Sequence, residues 1–207
     1  MAEQNSTKGN IAFALSQTRE NLMRAFAGES QARNRYTFAA CQAQKEGLAA
    51  IAQVFRFTAA QEQAHAKVFY DFLQELSGQT ISVDGTYPVD LCPDTLGMLR
   101  AAQHNEYQEF ENDYARFAQI ARQEGFDLIG RRFEMIRQIE KSHGDRFGLF
   151  ADWLEKQKLF DNGTQTAWMC LNCGEIIYAS MAPNQCPVCS HEQGYFIRLE
   201  LAPFTQK

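Results

Sequence analysis

Two copies of a Glu-x-x-His motif are the most chemically suggestive feature of the sequence. One copy runs from Glu62 to His65 and the other from Glu140 to His143. Residues three apart on a helix lie on the same face, so each motif presents one carboxylate and one imidazole to the same neighbour. Each motif could therefore hold one side of a metal ion.

The two motifs belong to an internal repeat. The segments 45–48 and 123–126 each contain a Glu-Gly pair where a tight turn between helices is expected, because glycine readily adopts the positive φ found at helix C-termini. Each turn is followed, after the same number of residues, by the glutamate of one motif. The repeat therefore predicts two helical hairpins that carry equivalent ligand pairs at the same level.

Further carboxylates lie in the helix that precedes each turn. Counted back from the turns, Glu29 in the first hairpin lies near the level of Glu106 and Glu109 in the second. At about 1.5 Å of rise per residue, these groups and both histidines stand roughly 22 to 28 Å from their turns and can meet in one layer. Tyr36 and Tyr114 fall on the same helix faces, so each is a candidate to hydrogen bond a ligand, with ordinary aromatic packing as the alternative.

Apolar spacing and stop signals place these residues on four helices, at roughly 11–45, 48–77, 94–123 and 126–157. Two short turns and one long connection, which contains a β-like segment at 80–83, are typical of a four-helix bundle with a crossover. One glutamate from each of two helices with Glu-x-x-His from the other two is the known ligand pattern of ferritin-like di-iron and di-manganese proteins. Carboxylates combined with imidazole suit iron better than magnesium or calcium.

A second candidate metal site lies in the C-terminal part of the chain. The pairs Cys170/Cys173 and Cys186/Cys189 are spaced as two metal-binding knuckles, which predicts a tetrahedral site for one iron or zinc ion. Zinc ribbons use the same spacing, whereas the surrounding aromatic residues and a redox site on the same chain favour iron. The other two cysteines, Cys41 and Cys92, are isolated, and we expect them to be small buried or half-buried thiols.

Composition sets the domain organisation and excludes some partners. The segment 1–160 is long enough for a helical bundle, whereas 161–207 is rich in Cys, Pro and aromatic residues and is too small to fold without a metal. A net charge of −5 and the lack of a basic stripe argue against nucleic acid as a partner. Met1–Asn10 is polar and the apolar run 11–15 is short, so we expect a cytoplasmic protein with no membrane partner.

Together these features resemble the rubrerythrins. The resemblance includes Ala25–Tyr36 around the first glutamate, both Glu-x-x-His motifs, the repeated turn, and the Cys-x-x-Cys-Gly and Cys-Pro-x-Cys knuckles. It implies an all-α, ferritin-like four-helix bundle followed by a small rubredoxin-like β domain. The implied ligands of two iron ions are Glu29, Glu62, His65, Glu106, Glu109, Glu140 and His143, and the implied ligands of a single iron are Cys170, Cys173, Cys186 and Cys189.

The resemblance also implies a redox role for individual ligands. One histidine and one glutamate of the family exchange as ligands on redox change, and by position these are His65 and Glu109. A gapped alignment would instead place Gln103 and Glu106 on the two glutamates of the third helix. The ungapped alignment, through 117–122, is preferred.

The activity that the resemblance implies is reduction of hydrogen peroxide to water, with electrons delivered by the tail iron. No Gly-x-Gly-x-x-Gly fingerprint occurs, so a separate protein of the rubredoxin or flavin-reductase type must supply the electrons from NAD(P)H. His143 lies about 14 residues, or roughly 21 Å, before the predicted end of its helix, which predicts a head-to-tail homodimer whose tails serve opposite bundles. The alternatives are ferritin-like oxidation and buffering of ferrous iron, and a zinc-stapled helical interaction protein.

Overall fold

The computed structural model describes residues 12–203. The polar N-terminal stretch Met1–Asn10 lies outside the described residues. The helices are α1 (Gln17–Lys45), α2 (Ala49–Asp71), α3 (Thr95–Gln108), α4 (Tyr114–Gln123) and α5 (Asp127–Glu155), and a π-helical segment, Glu109–Asp113, joins α3 to α4. With α3 and α4 counted together, the helical part has the four helices that the sequence predicts.

Two helix boundaries and one β-like segment differ from the prediction. The first helix begins at Gln17, because Phe13–Leu15 forms a separate 3₁₀ turn and Ser16 has extended backbone angles. The second ends at Asp71, followed by a 3₁₀ turn at Gln74–Leu76. The β-like segment 80–83 is not a strand, since an extended segment without a paired neighbour cannot form a ladder.

The repeated Glu-Gly turns have the predicted backbone. Gly47 and Gly125 have φ values of 73° and 91°, in the left-handed region that glycine adopts without steric cost. The N–H of Leu48 donates to the Ala43 carbonyl at 2.8 Å, and the N–H of Phe126 donates to the Ala121 carbonyl at 2.7 Å. These are the hydrogen bonds of a Schellman helix end, so both hairpins reverse direction in the same way.

The glutamates of these turns also cap helices of the other hairpin. Glu124 accepts hydrogen bonds from the backbone N–H groups of Gln17 and Thr18, at 2.9 and 2.8 Å, and from the Thr18 hydroxyl at 2.6 Å. Glu46 accepts from the N–H of Thr95 at 3.1 Å. Each acid satisfies donors that a helix N-terminus leaves unpaired, and its charge suits the positive end of the helix dipole.

The C-terminal part forms a small antiparallel sheet. Its strands are β1 (Asp161–Cys170), β2 (Ile176–Met181) and β3 (Phe196–Arg198), in the order β2-β1-β3. Trp168 and Phe196 are buried together with Cys170, Cys186 and Ala182. This core is small, as predicted for a domain that depends on a metal.

The chain divides into two compact units by its internal packing. Among the described residues, one contains 12–34, 59–89 and 103–145, and the other contains 35–58, 90–102 and 146–203. The domain boundary at residue 160 stays a prediction. Cys41 is exposed, so the expectation of a buried or half-buried thiol is wrong there, because it lies on an outward face of α1. Among the described helices, none combines the length and apolarity of a membrane span.

Candidate metal centres

Four helical segments each contribute buried ionisable side chains to one cluster. Glu29 comes from α1 and Glu106 from α3, whereas α2 and α5 contribute one Glu-x-x-His motif each. A helix places positions i and i+3 on the same face, which is why each motif presents both of its groups inward. The six residues are at most 7% exposed: Glu29, Glu62, His65, Glu106, Glu140 and His143.

The cluster consists of two groups of possible ligands that share two carboxylates. One group is Glu29, Glu62, His65 and Glu140, and the other is Glu62, Glu106, Glu140 and His143. Within each group the candidate ligand atoms lie within 4.8 Å of one another. Glu62 and Glu140 occur in both groups, so each of these carboxylates could offer one oxygen to each of two neighbouring ions.

The two histidines have nearly equivalent surroundings. His65 Nδ1 lies 3.1 Å from Glu62 Oε2 and 3.0 Å from Glu140 Oε1. His143 Nδ1 lies 2.9 Å from the other oxygen of Glu62 and 3.0 Å from the other oxygen of Glu140. Each ring also has a third carboxylate nearby, Glu29 at 3.8 Å from His65 and Glu106 at 3.6 Å from His143. The sequence repeat is thus reproduced in the positions of the side chains.

Several buried polar atoms of the cluster make no hydrogen bond of regular geometry, although His143 Nδ1 lies 2.9 and 3.0 Å from carboxylate oxygens. They include one oxygen each of Glu29 and Glu62, both oxygens of Glu140, and both ring nitrogens of His143. Burying a charged group without a partner costs several kcal/mol, so such an arrangement requires compensation. Two divalent cations would be compensated by four carboxylates, and imidazole with carboxylate oxygen is a donor set that iron accepts. The residues therefore fit a pair of iron ions.

Without metal, the ionisable groups of the cluster have pKa values shifted in different directions. Burial would raise the pKa of Glu62, but hydrogen bonds with His143 and His65 lower it to about 2. Burial would lower the pKa of His143, but Glu106, Glu140 and Glu62 raise it to about 12. Burial and the carboxylate of Glu62 raise the pKa of Glu106 to about 8. Metal ions therefore have to displace protons from this cluster.

Glu109 lies at the edge of the cluster. It lies outside both groups of converging ligand atoms and lines a cavity of about 680 Å³. Burial, followed by the charges of Glu29 and Glu106, raises its pKa well above the usual value. Tyr114 and the crossover residues 84–88 line the same cavity. No spacing signal in the sequence identifies 84–88 as cavity residues.

The two tyrosines have different surroundings. The hydroxyl of Tyr114 donates a hydrogen bond of 2.5 Å to Glu29 Oε1, and both groups are buried. Tyr36 packs against Phe55 and Phe147, with ring centroids 6.1 and 5.0 Å away. Tyr114 can therefore orient a candidate ligand directly, whereas the role of Tyr36 stays a prediction.

The four clustered cysteines form the second centre. Cys170 and Cys189 have their sulfurs 3.7 Å apart, and Cys173 and Cys186 have theirs 3.6 Å apart. With metal–sulfur bonds of about 2.3 Å, a tetrahedral site requires sulfurs roughly 3.8 Å apart, whereas a disulfide would bring them to about 2 Å. The N–H of His191 lowers the pKa of the Cys189 thiol to about 6, which favours the thiolate form that binds metal.

Both parts of the chain match models of known families. Residues 20–150 match the model described as rubrerythrin, and residues 168–197 match the one described as rubrerythrin, rubredoxin-like domain. A rubrerythrin of Clostridium perfringens is 43% identical over 180 residues, which are 86% of this chain and 92% of the relative. The chain belongs to the rubrerythrin family. A rubrerythrin of Porphyromonas gingivalis is 40% identical over 95% of this chain and 96% of its own length.

Solved structures agree with this assignment. Nigerythrin in a mixed-valence state has a TM-score of 0.59 and 25% identity, covering 96% of each chain. A bacterioferritin of Desulfovibrio desulfuricans has a TM-score of 0.60 at 20% identity, over 69% of this chain and 82% of that one, and supports the ferritin-like fold alone. The cofactors of this rubrerythrin are accordingly a di-iron pair and one iron in a Cys₄ site. The individual ligand assignments stay predictions.

Proposed function

We propose that this rubrerythrin reduces hydrogen peroxide to water, with electrons that pass from an external NAD(P)H-dependent reductase through the Cys₄ iron. One observation carries the proposal: two groups of buried ligands share Glu62 and Glu140, and the candidate ligand atoms of each group converge to within 4.8 Å of one another. The overall reaction consumes one peroxide, two electrons and two protons and yields two water molecules. When bound, an iron pair would supply the two electrons.

The proposed ligands of the pair are the seven residues that the sequence predicts. Glu62 and Glu140 would help to hold both ions, because each directs one oxygen toward His65 and the other toward His143. Glu29 and Glu106 would each serve one ion, since each belongs to one group only. Tyr114 holds Glu29 in place through its hydroxyl.

The cavity beside Glu109 is the proposed entrance for peroxide. Its volume of about 680 Å³ greatly exceeds that of a water-sized reactant, for which liquid packing gives about 30 Å³ per molecule. Arg24 holds the crossover segment that lines this cavity. The Nε of Arg24 donates to the Asp84 carbonyl at 2.9 Å, and the Arg24 carbonyl accepts from the Tyr87 hydroxyl at 3.2 Å. Glu109 lies where the cavity adjoins the cluster and can direct a reactant toward the iron ligands.

Electrons would enter through the tail. Cys173 is exposed, so the edge of the Cys₄ site is accessible to a donor protein of the rubredoxin or flavin-reductase type. We further propose a head-to-tail homodimer in which each tail serves the bundle of the partner. A cytoplasmic location remains the prediction made from the N-terminal composition.

The direct test is turnover by the iron-loaded full chain, with NADH and a flavin reductase as electron source. We expect one NADH to be oxidised per peroxide consumed, and a Glu62→Gln variant to lose at least about 10²-fold in rate. Glu111→Gln is the control, because Glu111 is an exposed helical glutamate that is not part of the cluster. Net retention of iron without turnover would support iron buffering instead, and a colourless zinc protein would rule out the redox function.

The dimer is tested by mixing two inactive variants. One chain lacks its four clustered cysteines and the other carries Glu62→Gln, so only a pair that exchanges tails contains a complete electron path. We expect the mixture to recover up to about a quarter of the wild-type rate after random reassembly, since one of every four site-and-tail combinations is intact. No recovery in a mixture that is dimeric by sedimentation would contradict the exchange of tails.

A further inference from the structure

The helix that carries Glu106 and Glu109 changes its hydrogen-bond pattern next to the metal cluster. In the π-helical segment Glu109–Asp113, the N–H of Tyr114 donates to the Glu109 carbonyl, five residues earlier. In an α-helix the same N–H would donate to the carbonyl of Phe110, four residues earlier. The Phe110 carbonyl has therefore lost its regular helical donor.

A side chain from another helix supplies a donor to this carbonyl. Arg137 of α5 donates from Nε to the Phe110 oxygen at 2.5 Å, and its guanidinium lies 4.5 Å from the centre of the Phe110 ring. Arg137 is three residues before Glu140, so it stands one helical turn from a proposed ligand of both ions. The contact thus links the π-helical segment directly to the helix that carries Glu140 and His143.

We infer that Arg137 is a positioning residue that keeps the π-helical segment in place and thereby holds the Glu109 carboxylate at the edge of the iron site. A π-helical segment contains an extra residue relative to an α-helix, and such segments are often found at functional sites. If the segment relaxed to α-helix, the residues on one side would rotate by about 100° relative to the other side. Glu109 and Tyr114 could then no longer both face the cluster.

The role of Arg137 is separable from its ion pair. Its NH1 also contacts Glu134 at 2.7 Å, but Glu134 is on the same helix and cannot position α3. Glu134→Gln therefore removes the ion pair and leaves the bond to Phe110. Arg137→Met removes both contacts, whereas Arg137→Lys keeps the charge and one donor but loses the planar contact with the ring.

The first experiment measures amide hydrogen exchange by mass spectrometry in the metal-free full chain. In Arg137→Met we expect peptides covering 108–118 to exchange about tenfold faster, since a lost hydrogen bond of about 1.4 kcal/mol changes an opening equilibrium tenfold. Arg137→Lys should recover part of the protection and Glu134→Gln nearly all of it. Peptides from 49–58 in α2 serve as the internal control. Unchanged protection of 108–118 in Arg137→Met overturns the inference.

The second experiment measures binding of Mn²⁺ by electron paramagnetic resonance, because Mn²⁺ prefers carboxylates to thiolates and so reports the helical cluster. We expect Arg137→Met and Glu109→Gln each to weaken binding about tenfold or more, and the double variant to be no weaker than Glu109→Gln. A full additional loss in the double variant would show that Arg137 does not act through Glu109, and would overturn the inference.

This second part rests on the proposed function, because it takes Glu109 as a ligand. The experiments distinguish the two failures. Unchanged Mn²⁺ binding by Glu109→Gln would overturn the link from Arg137 to the metal, together with that ligand assignment. Absence of peroxide turnover in the iron-loaded wild type would instead reject the proposed function, and the exchange measurement would still decide whether Arg137 holds the π-helical segment.

Discussion

The carboxylate–histidine cluster takes its residues from segments between Glu29 and His143, whereas the cysteine cluster takes all four from Cys170 to Cys189. The first cluster is enclosed by apolar residues that include Phe69, Tyr114 and Phe133. The second has a core of a few residues, and one of its sulfurs is exposed. The helical core can hold ligands together before metal binds, whereas the tail requires the metal to hold its core together.

The same contrast applies to charge. The helical cluster buries four carboxylates. Removing a carboxylate from water is unfavourable in free energy unless a cation balances its charge. The tail holds its cysteines in two backbone knuckles, in which the N–H of Gly174 donates to the Cys170 carbonyl at 2.8 Å and the N–H of Ser190 donates to the Cys186 carbonyl at 2.9 Å. Metal binding therefore reduces the repulsion between carboxylates in the helical cluster, whereas in the tail it holds the two knuckles together.

The largest expected effect is the loss of the tail fold when its metal is removed. Structural metal binding supplies on the order of 10 kcal/mol to the folding of small stapled domains. A variant with Cys170→Ser and Cys186→Ser should lose protease resistance throughout 161–203 and keep its helical circular dichroism. Limited proteolysis with mass spectrometry measures this. Cys41→Ser is the control, and a tail that stays protected without metal would mean that its core is sufficient.

The next effect separates two glutamates of the helical cluster in the metal-free protein. Glu62 lies within about 3 Å of both histidines, whereas the ion pair of Glu106 with His143 is longer, at 3.6 Å. Breaking a buried ion pair costs about 3–5 kcal/mol, so Glu62→Gln should destabilise the metal-free bundle by about that amount and Glu106→Gln by much less. Urea unfolding measures both. Equal losses would show that the ion pairs with the histidines do not stabilise the empty cluster.

A smaller effect tests whether the repeated turns support the two hairpins equally. Glu124 accepts three hydrogen bonds at the start of α1, whereas at the start of α3 Glu46 accepts from one backbone N–H group, that of Thr95. Loss of a helix cap costs about 0.5–2 kcal/mol. We expect Glu124→Ala to lie at the upper end of this range and Glu46→Ala at the lower end, as measured by thermal unfolding. Glu75→Ala, at an exposed 3₁₀ turn, is the control, and a reversed order would contradict the comparison.

The repeat explains why so much of the helical site was predictable. A glutamate at a fixed distance from a turn glycine has a fixed height and face, because helix geometry is regular. Glu62, His65, Glu140 and His143 therefore lie together as the spacing predicts. The cysteine spacing likewise predicts four sulfurs at tetrahedral distances, since each knuckle is a local structure.

The remaining features depend on contacts that spacing does not encode. The predicted third helix, 94–123, is interrupted at Glu109–Asp113, and the side chain that bonds the altered backbone, Arg137, comes from a different helix. Apolar periodicity averages over a whole helix and does not register one extra residue. The placement of the crossover beside the cavity likewise depends on Arg24, which is about 60 residues away from Asp84 along the chain.

The smallest expected effect compares the two knuckles of the tail with each other. Gly174 follows Cys173 with φ 82°, and Ser190 follows Cys189 with φ 60°, so the same left-handed position is filled by glycine in one knuckle and by serine in the other. This conformation costs a non-glycine residue roughly 1–2 kcal/mol, and the greater flexibility of unfolded glycine offsets about half of that. Ser190→Gly should therefore stabilise the metal-bound tail by about 0.5–1 kcal/mol, and Gly174→Ser should destabilise it by a similar amount. The chelator concentration that removes half of the tail metal measures both changes. If this concentration shifted in the same direction in the two variants, backbone strain at Ser190 would not limit the stability of its knuckle.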